Sequence, residues 1–375
     1  MKTSNSFNIT IMALATASWG IIDVGNESVS QLFFGVTQSE LPAFLTALVR
    51  FSLASVLLVA IAMAACSNIR TRALYRWLLS LDSDEGWHNT FVINQVIYGL
   101  LWGLSITLFV AAFQFTAAGE VVFITGLCGF AILLICREEK EAHKLIAMVA
   151  FNLFIIAFYL YGSNLKTLAH PGQEGLLLLS ITGFVVLYYA SFKYKQMCVQ
   201  DDEDLARLWT TSEGTGHKGL LYQVQLFKMV IQFLAASFIA IVAVQGWGML
   251  TTGSLIVFPE MNHGVDIETS DVVIGGLYIV FATVLSYFAF NYGLERMNKA
   301  SLAGTSPTDG GQAAAALASL EPLCGCLIAF SESSGTGEPK WYLLGSIVAF
   351  VFYMAYLNRV NRSSELSISS SETTG

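Results

Sequence analysis

Apolar runs of about twenty residues recur along the whole chain and constrain its fold more than any other feature. An α-helix needs a run of about this length to cross a bilayer. In lipid, only helices and closed barrels satisfy their backbone hydrogen bonds internally. Ten such runs predict an all-α polytopic membrane protein that has the lipid bilayer as its partner. The predicted spans are residues 8–24, 41–65, 92–115, 118–136, 145–162, 175–193, 219–245, 272–294, 311–330 and 341–358.

The composition agrees with this class and excludes several functions. The chain is 55% hydrophobic and 12% charged, whereas a soluble protein carries roughly a quarter charged residues. A net charge of −8 gives no case for nucleic acid as a partner. The sequence contains no zinc-protease, serine-hydrolase or phosphate-loop motif, and its histidines are scattered over loops. We therefore predict no enzyme activity, no cofactor and no metal site.

The distribution of basic residues predicts the orientation of the spans. Most Lys and Arg fall in the N-terminal tail, the C-terminal tail and every second loop, while the opposite loops hold only Lys166 and Lys340. By the positive-inside rule both termini are cytosolic, and the plasma (inner) membrane is the expected location. Residues 15–17 resemble a signal-peptide cleavage site. We nevertheless interpret the first run as a span. The Ser-rich tail, 359–375, is predicted to be disordered.

Three short matches, in the same order, relate the first half of the chain to the second. They predict two repeats, residues 1–162 and 175–358, of five spans each. Because five is an odd number, the second copy is inverted relative to the first. Arg50 and Lys228 then become mirror images across the midplane. The matches are 48–51 with 226–229, 104–105 with 285–286, and 124–130 with 320–326.

Several stretches resemble a known family of transporters. Residues 15–20 end in Trp-Gly, residues 47–51 read Ala-Leu-Val-Arg-Phe, and residues 314–322 end in Leu-Glu-Pro. With residues 111–118, they resemble the drug/metabolite transporter superfamily, in the branch with two EamA-like repeats. The resemblance implies ten helices, a central cavity, and alternating-access movement of small solutes, often export. The chain departs from the family in loops 66–90, 194–218 and 246–271 and in an insertion at 301–312.

Polar side chains recur at helical spacing in spans one, three, seven and eight. Lipid disfavours such side chains, so these faces turn inward and line a cavity. The alternative is that they join helices by hydrogen bonds. The predicted substrate-cavity residues are Trp19, Asp23, Arg50, Gln95, Tyr98, Trp102, Ser105, Lys228, Gln232, Tyr287, Asn291 and Glu321.

Three charged residues within the spans have specific predicted roles. Glu321 precedes the helix-breaking Pro322, as at the substrate and ion sites of repeat-built transporters. We predict that it carries a proton or contacts a cationic group of the substrate. The alternative is a protonated glutamate that binds freed backbone groups. Arg50 and Lys228 either contact substrate, or extend their charged ends toward the membrane surface, or pair with Asp23, with Glu120 or with a helix C-terminus.

Two cytosolic loops give further expectations. Residues 72–81 place Leu74, Trp77, Leu78 and Leu81 on one face, which predicts a short helix lying on the membrane. Residues 201–204 are all acidic but lack the spacing and the glycine of a calcium loop. We predict a solvated acidic loop there.

Together these features predict a secondary carrier that moves small polar metabolites across the membrane by alternating access. Amino acids or related zwitterions are the first substrate class, because acids, bases and aromatic residues occur together in the predicted cavity. Export, proton coupling, and the choice between monomer and homodimer are left open. The alternatives are a nucleotide-sugar or organophosphate antiporter, with Arg50 and Lys228 binding phosphate, and a passive channel.

Overall fold

The protein is described by a computed structural model that covers residues 6–19, 44–81, 91–112, 174–198, 202–213, 219–255, 277, 283–303, 310–317, 320 and 324. In these ranges the secondary structure is helical, as the sequence predicts, and contains no strand. Nine helices are labelled here in chain order. They are α1 (6–19), α2 (Phe44–Ala65), α3 (Ile69–Ser80), α4 (Phe91–Ala112), α5 (Glu174–Met197), α6 (Asp202–Glu213), α7 (Leu220–Thr252), α8 (Ser286–Leu302) and α9 (Gly310–Leu317).

Four of the described helices are long and apolar enough to cross a membrane, which indicates an integral membrane protein. The spanning segments are Ala47–Ala65, Phe91–Ala112, Gly175–Met197 and Leu220–Gly246. They lie close to the second, third, sixth and seventh predicted spans. The predicted spans 118–136, 145–162 and 341–358 lie outside the described residues, and so do Asp23, Glu120 and Glu321.

Helix α4 is the centre of the described bundle because it packs against both α5 and α7. Gly99 and Gly103 form a Gly-x-x-x-Gly pair on its α7 side. A Cβ on Gly99 would meet the backbone oxygen of Gln232 at 2.5 Å, and one on Gly103 would meet Cα of Ala236 at 2.5 Å. Small residues at this spacing let two membrane helices approach closely. The pair therefore sets the distance between α4 and α7.

Helices α4 and α5 run antiparallel along each other. The Tyr194 hydroxyl donates to Oδ1 of Asn94 at 3.0 Å near one end, and the rings of Phe109 and Phe184 are 4.8 Å apart near the other. On the far side of the bundle, α1 approaches α8 at Gly293, where a Cβ would meet the Met12 side chain.

Apart from the main apolar core between the long helices, α3 and α6 pack with the first turns of α4 and α7 in a second apolar cluster at one end of the bundle. The Trp77 and Trp209 rings are 5.4 Å apart, and the Tyr75 ring lies 4.8 Å from Phe227 of α7. The apolar face of α3 is thus buried against protein, which corrects the prediction that it lies on the membrane. The cluster comprises Leu74, Tyr75, Leu78, Phe91, Leu205, Ala206, Trp209, Leu220, Val224 and Phe227.

Two predicted boundaries are wrong in the same direction. Helix α5 continues to Met197, so Lys195, which lies beyond the predicted span 175–193, is helical and buried. Helix α8 continues to Leu302, beyond the predicted end at residue 294. In both cases charged residues continue the helix past the apolar run, because their partners lie inside the protein.

Candidate functional site

The most unusual feature of the described bundle is a group of buried charges on four neighbouring helices. Lys228 of α7 is only 3% exposed, and its Nζ lies 2.6 Å from Oδ1 of Asp202 and 2.5 Å from Oε1 of Glu295. Nζ of Lys195 lies 3.4 Å from the same Glu295 oxygen. We call Lys195, Asp202, Lys228 and Glu295 the charge cluster. Its two ammonium groups balance its two carboxylates.

The charge cluster changes the interpretation of residues 201–204. Asp202 begins α6 and is buried, whereas Asp204, two residues later, is exposed beside Arg207. The expectation of a uniformly solvated acidic loop is therefore wrong for Asp202. Burial, and next the Glu295 carboxylate, raise the pKa of Asp202 to about 7, while Lys228 and Lys195 act in the opposite direction.

A chain of amides and hydroxyls extends from the charge cluster toward the membrane-spanning core. Nε2 of Gln232 donates to Oε1 of Gln95 at 2.6 Å, and the Tyr287 hydroxyl donates to Oε1 of Gln232 at 3.0 Å. Asn291, one turn after Tyr287, accepts from Lys195 at 2.7 Å. The polar stripes of α4, α7 and α8 thus meet each other, and part of their hydrogen-bonding capacity is used between helices.

Aromatic rings surround the inner end of this polar chain. The Trp102 ring lies 4.4 Å from Tyr287 and 5.1 Å from Phe51, and Phe233 packs edge-on against Tyr287. Nε1 of Trp102 is buried and has no hydrogen-bond partner among the described residues. A buried donor of this kind is normally satisfied by water or by a ligand.

The predicted cavity residues therefore divide into three sets. The structure brings together Gln95, Tyr98, Trp102, Lys228, Gln232, Tyr287 and Asn291. Three others make different contacts. Trp19 packs on Phe290, Ser105 donates to the backbone of its own helix, and Arg50 is buried on α2. Asp23 and Glu321 lie outside the described residues.

Sequence reasoning missed Lys195, Asp202 and Glu295. For Glu295 a signal existed, because the stripe of Thr283, Tyr287 and Asn291 reaches residue 295 by one further step of four. For Asp202 the neighbouring acidic residues hid any such signal, because a run of acidic residues is typical of a solvated loop. The partners of Lys228 also differ from the expected Asp23 or Glu120.

Two open spaces border the charge cluster. One is a narrow pocket with room for about one water molecule, and the two lysines line it. The other is a wider cleft between α7 and α8, with about 550 Å³ of space including its open mouth, and the two carboxylates line it. The remaining residues of the narrow pocket are Asn94, Gln95, Tyr98, Tyr194 and Cys198.

The donor set is suited to ion pairs and polar solutes. Within the described ranges, no three His, Cys, Asp or Glu side chains converge as metal ligands.

Comparison of the chain with protein-family models, with curated proteins and with solved structures gives no match in any of the three.

Proposed function

We propose that the protein is a secondary carrier for small polar solutes, and that the charge cluster is part of its moving machinery. The observation that carries the proposal is a cluster of four buried charges, two of which, Lys195 and Lys228, lie on membrane-spanning helices. Charged side chains inside a membrane protein are expensive and usually serve transport, proton transfer or ligand binding. The resemblance to the drug/metabolite transporter superfamily supports the same proposal.

The arrangement of the cluster favours a moving part over a static support. Replacing a buried ion pair by apolar residues is often neutral or stabilising, so stability alone does not require these charges. Lys228 serves two carboxylates on different helices, Asp202 on α6 and Glu295 on α8. Releasing either one leaves Lys228 with a partner. Because Lys228 can lose one partner and keep the other, α6 or α8 could move while the lysine stays paired. Alternating access requires helix movements of this kind.

The same geometry ranks the substrate classes. A zwitterion could replace one ammonium and one carboxylate contact at the cluster, which favours amino acids and related compounds. An organophosphate carrier would use Lys228 for phosphate, but two carboxylates already bind its Nζ. We therefore favour the zwitterion.

Counterflow in proteoliposomes tests the proposed function. Vesicles preloaded with pooled amino acids or with pooled nucleotide sugars are compared, each with and without a pH gradient. We expect saturable exchange from the amino-acid pool, strongly reduced by Glu295→Gln and unchanged by Asp204→Asn, an exposed carboxylate on the same α6 helix as Asp202.

Three results would contradict the proposal. If folded, monodisperse protein exchanges solute from neither pool, the hypothesis of a carrier for these solutes is rejected. Flux without saturation would indicate a channel. Exchange from the nucleotide-sugar pool alone would show that the substrate is an organophosphate and not a zwitterion.

A further inference from the structure

The wide cleft between α7 and α8 has a wall of mixed chemistry. The carboxylates of Asp202 and Glu295 lie at the charge cluster, and the ring of Tyr222 stacks on Phe288 at 6.3 Å. The Arg296 guanidinium lies over the Tyr292 ring at 5.4 Å from its centroid. Acidic, basic and aromatic groups therefore share one space. The full lining is Asp202, Leu221, Tyr222, Gln225, Phe288, Tyr292, Glu295 and Arg296.

Gln225 supplies an independent sign of a missing ligand. Its side chain is only 6% exposed, lies on the cleft wall, and makes no hydrogen bond to any described residue. A primary amide has two donor hydrogens and a carbonyl acceptor, and those of Gln225 are available to a solute in the cleft. Lys228 lies one turn away, with both carboxylates bound to it. The cleft therefore offers an amide without a partner beside two anionic groups.

The geometry points to a binding site in this cleft for the ammonium group of a zwitterionic solute, with Asp202 and Glu295 as its acceptors. Each carboxylate has about four acceptor positions, so the ion pair with Lys228, joined at Glu295 by the ion pair with Lys195, is compatible with a further donor. The Gln225 amide and the positive charge of Arg296 suit the carboxylate of the same solute. The rings of Tyr222, Phe288 and Tyr292 suit an apolar side chain and add attraction for a cation.

The site suggests how a solute could act on the charge cluster. An ammonium group bound to Asp202 and Glu295 competes with Nζ of Lys228 for the same oxygens. Binding would therefore weaken the ion pairs that join α6 to α7 and α7 to α8. This deepens the proposed function, on which its relevance to transport rests, while the binding itself is measured without transport.

The test uses three probes of similar shape on the full-length protein in detergent. Leucine carries both charges, 3-methylbutylamine carries only the ammonium group, and 4-methylpentanoate carries only the carboxylate. Binding is measured by isothermal titration and by the rise in Tm. We expect leucine to bind more tightly than the amine, and the carboxylate probe not to bind.

Variants locate the site. Glu295→Gln should abolish binding of both ammonium probes. Gln225→Leu should lower the affinity for leucine about tenfold. This is the effect of one lost hydrogen bond at the upper end of its usual energy range. Because Gln225 bonds to no described residue, this variant should fold even if Glu295→Gln does not. Asp204→Asn should bind all probes as the wild type does.

The inference is overturned if no probe binds, if the carboxylate probe binds as well as leucine, or if Gln225→Leu leaves leucine affinity unchanged. Leucine counterflow with the same proteins separates this result from the proposed function. Exchange that persists unchanged in Gln225→Leu would reject the site and leave the carrier standing. Binding with the expected pattern but without any exchange would retain the site and reject the carrier.

Discussion

At the scale of single residues, the loss of Lys228 should cost the most stability, because its one ammonium group is the ion-pair partner of two buried carboxylates. Its Nζ is shared by Asp202 and Glu295, which repel each other when both are ionised. Lys195 approaches only Glu295 among these two carboxylates at ion-pair distance. Removal of Lys228 would therefore leave Asp202 without a cation at contact distance among the described residues.

Lys228→Met should destabilise the protein by about 3–5 kcal/mol, the cost of stranding a buried charge. The double variant Lys228→Met with Asp202→Asn should recover part of this loss, because one stranded charge is gone. Thermal unfolding in a fixed detergent measures both. Arg76→Met, at an exposed site on α3, is the control and should leave Tm nearly unchanged. Equal Tm values for Lys228→Met and wild type would contradict the role given to the ion pairs.

Asp202 should make stability depend on pH. Its pKa of about 7 lies above the ordinary value of about 3.9 in an unfolded chain, so the folded state holds more protons between these values. The contribution of Asp202 to stability is therefore fully present below about pH 4 and is lost as the pH rises through 7. Lys228, Lys195 and Glu295 are the charged groups around it.

The measurement is the Tm difference between wild type and Asp202→Asn across the range from pH 5 to 8. This difference should become less favourable to the wild type as the pH rises, because the asparagine does not titrate. A difference that grows in favour of the wild type would mean that Lys228, and not burial, controls the pKa of Asp202.

At the scale of helices, close contact between α4 and α7 holds the polar residues in register. Gly99 contacts the backbone at Gln232, which is itself bonded to Gln95 and Tyr287. The distance between the two helices therefore also controls these hydrogen bonds.

Gly99→Ala and Gly103→Ala should each lower stability by about 1–3 kcal/mol, because the added methyl groups meet backbone atoms that cannot move aside. Gly246→Ala is the matched control on α7, where a Cβ meets nothing within 4 Å. It should be neutral or slightly stabilising, since alanine favours helix. Unfolding midpoints in one detergent give the comparison. A loss in Gly246→Ala equal to that in Gly103→Ala would refute the close contact.

Helix α6 should depend on Trp209 for its position. Its contacts with Trp77 and with the second apolar cluster hold the helix that carries Asp202. Trp209→Ala should therefore increase hydrogen exchange of the α6 amides, while α5 stays protected. Leu208→Ala, at an exposed neighbouring position, should have no such effect. Equal exchange in the two variants would show that the tryptophan contact does not anchor α6.

The comparison of sequence with structure is also clearest at this scale. The limits of α2, α4, α5 and α7 were predictable within several residues, because hydropathy sums a signal over some twenty positions. The pairing of Lys228 with Asp202 was not predictable, since it joins a membrane-spanning helix to an acidic stretch that is typical of a solvated loop. Its partner is set by how α6 folds back onto α7, which depends on distant apolar contacts such as Trp77 with Trp209.

At the scale of the whole molecule, several helix ends meet on one side. Cys66 after α2, Phe91 of α4 and Leu220 of α7 all contact the second apolar cluster, and Tyr194 near the end of α5 bonds to Asn94. The other ends of α4 and α5 therefore share the opposite side. Two spans between them, as predicted at 118–136 and 145–162, agree with this placement of the two ends.

Thiol labelling tests this arrangement. Variants that retain only Cys66 or only Cys198 should both react with a membrane-impermeant maleimide from the cytosolic side. Cys198 should react more slowly, because burial raises the pKa of its thiol and the thiolate is the reactive form. Labelling from opposite sides would contradict the fold, while labelling of both from outside would contradict only the predicted orientation.

The balance of the charge cluster has an electrical consequence. When both of its carboxylates are ionised, the cluster as a unit carries no net charge, so a transmembrane voltage does not drive its displacement. One added proton would give it a unit charge, worth about 2.3 kcal/mol per 100 mV for complete passage through the field. Protonation of Asp202 would therefore convert a voltage-insensitive movement into an electrogenic one.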